Sequence, residues 1–112
     1  MKHVSFGDKS LFMGDDAAEA LLEYARLISE AATADSVTVS CISHDGNTVE
    51  ASFLLNANTV LIVETTNSEL DPPDNAEAVQ EMRDRINAMS RPVNAQPGEP
   101  WMWSDDGVAD MV

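Results

Sequence analysis

The chain has 112 residues, with 20 acids against six bases and a formal net charge of −14. That balance argues against a nucleic-acid partner, since phosphate binding needs clustered Lys and Arg, and it is repelled by anionic membrane leaflets. Its 44% hydrophobic content supports one core in one domain, and the lone Cys41 excludes an internal disulfide.

There is no apolar run long enough to span a bilayer, and Met1-Lys2-His3 leads directly into mixed residues, so a cytoplasmic protein is expected. The acidity reads first as a solvating surface, suited to a soluble protein or one that works in salt. Attraction to a basic partner and mimicry of nucleic acid are the sharper alternatives.

The pattern predicts the following elements in chain order. HVSFGDKSLFMG, residues 3–14, alternates Val4 and Phe6 with His3 and Ser5, then turns at Gly7-Asp8; it reads as a strand or hairpin. DDAAEALLEYARLISEAATA, residues 15–34, is a helix. Asp16 and Glu19 have capping-box spacing, and Leu21, Ala25, Ile28 and Ala32 form its stripe, widened by Ala18, Leu22 and Ala31.

A hairpin follows in residues 36–55. A two-residue loop at Asp45-Gly46 would set its two apolar rows on opposite faces, because one residue of slip inverts every side chain. A three-residue loop, His44-Asp45-Gly46, instead pairs Cys41 with Val49, Val39 with Ala51 and Val37 with Phe53. It also puts Gly46 at the left-handed position. After a turn at Asn56-Ala57-Asn58, TVLIVETT is a third strand, expected to complete a meander and to be apolar on both sides. With Ile42 and Leu54 pointing outward, Ile42, Leu54, Val60 and Ile62 are expected to form an apolar patch on the outer face of the sheet.

The second helix lies in DPPDNAEAVQEMRDRINAMSR, residues 71–91. Asp74 serves as cap, and Ala76, Val79, Met82, Ile86 and Met89 form the stripe. The resemblance between the two helix starts reflects shared capping chemistry better than duplication. From Arg91 three prolines mark a linker, and the chain closes on PWMWSDDGVADMV.

Candidate chemistry is sparse. His44-Asp45 is better read as a turn than as a base or metal ligand, and Cys41, in mid-strand on the core face, as a small apolar residue. The Asp pairs lack calcium-loop spacing, and no phosphate loop or nucleophile elbow occurs. Neither a metal nor a cofactor is expected. The polar run at residues 64–69, with Glu64, Thr65, Thr66 and Asn67, is a candidate ligand-binding loop. Trp101-Met102-Trp103 offers adaptable apolar surface of the kind found at interfaces.

The expected fold is therefore α+β. Residues 1–90 form the domain: an N-terminal strand or hairpin and a three-stranded antiparallel meander, with two helices on one face. Residues 91–112 form an acidic, aromatic tail. The expected function is a non-enzymatic homodimer or adaptor using Ile42, Leu54, Val60, Ile62, Trp101, Met102 and Trp103. The alternatives are a small-molecule or minor catalytic domain using residues 64–69, and an inhibitor of a basic protein acting through its carboxylates.

Overall fold

A computed structural model describes residues 1–90. The order is β1 (Lys2–Phe6), β2 (Lys9–Met13), α1 (Asp15–Glu30), β3 (Asp35–Ile42), β4 (Thr48–Leu55), β5 (Leu61–Thr65) and α2 (Ala76–Ser90). The strands form one antiparallel sheet in the order β4-β3-β2-β1-β5, an α+β fold. Residues 91–112, expected to form the tail with Trp101, Met102 and Trp103, lie outside the described residues.

The β3–β4 hairpin takes the register that its apolar alternation demands. Val37 faces Phe53, Val39 faces Ala51 and Cys41 faces Val49. Ser43 closes the loop by donating its N–H to the Asn47 carbonyl at 2.8 Å, and Gly46 sits at φ +90°. Only glycine takes that backbone region without strain.

The third strand departs from the expected meander. β5 does not pair with β4 but crosses to the opposite edge and pairs with β1, setting Val63 beside Val4 and Leu61 beside Phe6. There Leu61 and Val63 pack against the core, while Ile62 points outward and is exposed. As an edge strand, β5 is buried on one face only.

This topology forces the sheet to coil. The pairings place Thr48, Ile42, Phe12, His3 and Glu64 on one row across the sheet. Along the shared direction of β4 and β5, Leu55 lies seven residues past that row and Leu61 three residues before it. In a flat sheet those ten residues alone would separate the strand ends by about 33 Å. The link, residues 56–60, reaches at most about 22 Å. Coiling removes the conflict and brings the Phe6 and Phe53 rings to 5.3 Å, edge to face, although two strands lie between theirs.

The core fills the concave side of the sheet. Val4, Leu11, Met13, Val39, Cys41, Phe53 and Leu55 meet Ala17, Leu21, Tyr24 and Ile28 of α1 and Met82 and Ile86 of α2. The start of α1 differs from expectation. Gly14, not Asp16, is the N-cap and has no side chain to offer, because this one residue alone separates β2 from the helix. The buried arc is also rotated: Ala20 and Tyr24 are inside, Leu22 is exposed, and the helix ends at Glu30 with Ala31 as its C-cap and Ala32 at φ 54°.

Because β2 turns into α1 after Met13, the edge of β3 beyond Ile42 lacks a strand neighbour. The Asn75 side chain takes that place: Ser40 N–H donates to Asn75 Oδ1 and Asn75 Nδ2 donates to the Ser40 carbonyl, both at 2.8 Å. One carboxamide thus reproduces the two bonds that a strand residue would make. The cap position of α2 falls to Asn75, whose carbonyl accepts the Val79 N–H at 2.8 Å, and Asp74, expected there, stands one residue earlier and accepts the Ala76 N–H at 3.0 Å.

Replacing Asn75 with Ala leaves both Ser40 groups unpaired in a half-buried site, at a cost of about 1–3 kcal/mol. Thermal unfolding should shift down by roughly 4–8 °C per kcal/mol in a domain of this size. An unchanged midpoint would mean that water replaces the amide without penalty.

Candidate functional site

Coiling leaves part of the concave face beyond the helices as an apolar trough. Val4 and Phe6 from β1, Leu11 from β2, and Val49, Ala51 and Phe53 from β4 line a cavity of about 390 Å³. Lys9 and Glu50 also line it, and Lys9 makes no ion pair among the described residues. The other described side-chain cations behave differently, except Lys2: Arg26, Arg83 and Arg85 all engage carboxylates. An apolar floor with one uncommitted cation suits an aromatic or aliphatic group that carries negative charge beside it.

A larger cavity, about 680 Å³, lies where the starts of α1 and α2 converge over residues 72–76. Asp15, Asp16 and Asp74 line it, and the Met1 amine meets Asp15 Oδ1 at 3.0 Å. The bond from that amine holds the Asp15 carboxyl below its ordinary pKa. Pro72 packs so closely on Gly14 that a Cβ there would lie 3.2 Å from the proline Cβ. Of its acids, Asp15 is held by the Met1 amine and Asp74 by the Ala76 N–H.

A third cluster joins both helices to β3. The buried Tyr24 hydroxyl donates to Asp35 Oδ2, which Arg85 Nη1 also reaches at 2.7 Å. The second Arg85 nitrogen donates to Glu81 at 2.7 Å, and the Ser36 N–H donates to Asp35 Oδ1 at 2.8 Å. The tyrosine hydrogen bond, with help from Ser36 and Arg85, lowers the Asp35 pKa; burial and the same bond raise that of Tyr24. Every partner is satisfied within the cluster, so its work is to fix α1, α2 and β3 relative to one another. A sequence reading can find the Glu81–Arg85 pair from its i,i+4 spacing. It misses Asp35 and Tyr24, since no local signal links positions 11 and 50 residues apart.

The expected apolar patch is only partly assembled. Leu54, Val60 and Ile62 are 59%, 67% and 52% exposed. Ile42, expected beside them, is 6% exposed and faces Phe12 across the β2–β3 pair. Leu54 and Val60 flank the β4–β5 link, where Thr59 Oγ1 accepts the Asn56 N–H at 2.8 Å and donates to the Leu54 carbonyl at 3.4 Å. Leu22 of α1, 44% exposed, lines a groove against the same link together with Leu61. Leu22, Leu54, Val60 and Ile62 thus lie on the elements that meet at the β4–β5 link, while Val49, Leu70 and Met89 are exposed elsewhere.

The candidate ligand loop is placed differently from Leu54 and Val60. Glu64 lies on β5 and holds His3 Nδ1 at 3.0 Å on the convex face. Thr66 and Ser68 spend their hydroxyls on the Ser68 and Leu70 N–H groups. Glu64, Thr65, Thr66 and Asn67 line none of the cavities described above. His44 and Asp45 occupy the turn, with Asp45 accepting from Ser43 and Asn47. Cys41 is fully buried, and burial pushes its thiol up to about 11. Among the described residues no group of three or more His, Cys, Asp or Glu side chains is placed to hold a metal ion. No helix in this region is long and apolar enough to cross a membrane.

Comparison of the chain with protein-family models, with curated proteins and with solved structures finds no match.

Two measurements follow from these environments. Asp35→Asn should lower stability, with the full deficit above the ordinary carboxylate pKa of 3.8. The gap to the parent should close as pH falls below that value, because the parent then loses its depressed-pKa contribution; a gap constant from pH 7 to pH 2 would show that the charge is irrelevant. Cys41 should resist a thiol reagent at pH 8 in the native state and react at the rate of a free thiol in denaturant. Fast native labelling would contradict its burial.

Proposed function

We propose that this protein is a small, acidic, non-enzymatic interaction module of the cytoplasm that self-associates as a homodimer. The observation that carries the reading is the group Leu54, Val60 and Ile62, more than half exposed around the β4–β5 junction, with Leu22 nearby. Exposed apolar surface is disfavoured at about 25 cal/mol per Å², and a cluster of such residues is the usual mark of an interface. A two-fold partner offers the same patch in return. The free edges of β4 and β5 adjoin the patch and add unpaired backbone groups on which a partner can register. The buried thiol and the paired arginines fit a binding role better than a reactive one.

The surface charge gives the proposal a distinctive signature. Two copies at −14 each repel, so salt should tighten their association, whereas binding to a basic partner should weaken with salt. Light scattering on the full chain at micromolar concentration should give twice the 12.1 kDa of one copy, more completely at high salt. Leu54→Asp and Ile62→Asp should each return a folded monomer. A monomer under all these conditions would overturn the dimer.

A further inference from the structure

We propose that the apolar trough between β1, β2 and β4 is the docking site for this chain's own C-terminal segment, with Trp101 and Trp103 seated on its floor and Lys9 facing the acids that follow. The trough is a different surface from the β4–β5 junction, so the proposal stands apart from the dimer reading.

Geometry, reach and charge all favour this occupant. Phe6, Val49 and Ala51 are the apolar side chains that the helices leave accessible, above the buried Val4, Leu11 and Phe53, around a cavity of about 390 Å³. That volume lies within the range that takes a drug-sized, largely aromatic group. The chain itself supplies aromatic groups of this kind: both of its tryptophans are at positions 101 and 103.

The reach is also right. α2 starts beside Ser40, at Asn75, and passes Asp35 at Arg85, so it runs back along β3 and ends at Ser90 beyond the far end of that strand. The trough reaches Ser43 and Val49, at the opposite end of β3. The length of β3 plus the last helical residues amounts to about 34 Å. Residues 91–100, with three prolines, can span about 34 Å to Trp101 when extended. A much shorter linker would leave the indoles at the wrong end of the domain.

The rim carries one charge of each sign, Lys9 and Glu50, and only the Lys9 side suits the acids of the tail. Lys9 is the one cation lining the trough and has no ion pair among the described residues. Asp105 and Asp106 stand two and three residues after Trp103. An anchor of two indoles followed by acids matches a floor of apolar side chains bordered by a lysine.

Because the domain has no other tryptophan, indole emission of the full chain reports this contact alone. The native chain should emit at shorter wavelength than in denaturant and resist acrylamide quenching, unchanged over a hundredfold dilution. Lys9→Glu, an exposed change that keeps the fold, should partly restore quenching. Val49→Glu, with far-UV circular dichroism confirming the fold, should restore it to the denatured level. Leu54→Asp, which removes the proposed dimer contact, should leave emission unchanged. Native emission equal to that of the denatured chain would overturn the proposal. So would protection that survives both trough variants, or protection lost on dilution, which would place the tail on a second copy.

Discussion

The chain passes from β4 to β5 in five residues, yet those strands lie at opposite edges of the same sheet. A span of that length does not cross a flat sheet of this register, so the strands must coil until the edges approach each other. From that coil follow the edge-to-face contact of Phe6 with Phe53, the concave core and the trough beyond the helices. It also gathers Leu54, Val60 and Ile62 around one junction while Ile42 is covered. A longer link would relax the requirement and leave the concave face less enclosed.

The second helix completes what the sheet leaves open. β2 is short because the chain turns into α1 straight after Met13, so β3 outruns its neighbour. Asn75 and Arg85 project from α2 and its approach onto the exposed backbone of β3, at Ser40 and Ser36. Burial of Met82 and Ile86 supplies the attraction, while the polar contacts set the direction in which the helix lies. Spending Arg85 on Asp35 and Glu81, and Arg83 on Glu23, commits much of the scarce positive charge to fixing helices in a molecule that otherwise repels itself.

What the sequence made legible was local. Alternation of Val37, Val39 and Cys41 against Val49, Ala51 and Phe53, with Asp-Gly between them, determines one register because the other puts the apolar rows on opposite faces. The two helices were legible from their 3.6-residue period, though the arc of α1 was not: Tyr24 is buried because Asp35 and Arg85 satisfy its hydroxyl, a fact about residues far along the chain. The partner of β5 was hidden for a similar reason. Alternation tells which side of a strand is apolar, and Leu61 and Val63 are compatible with either neighbour; the choice of β1 over β4 is made by coiling of the whole sheet. The trough was invisible because its walls come from β1, β2 and β4, which meet only after that coiling.

The junction between β2 and β3 is a single residue pair, Phe12 with Ile42. The sheet is therefore two separately laddered pieces, β3–β4 and β2–β1–β5, clasped by helices more than by their own backbones. Residues 31–34 and the five-residue link to β5 hold the β3–β4 hairpin at both ends, so the two pieces can slide against each other only within the slack of those tethers.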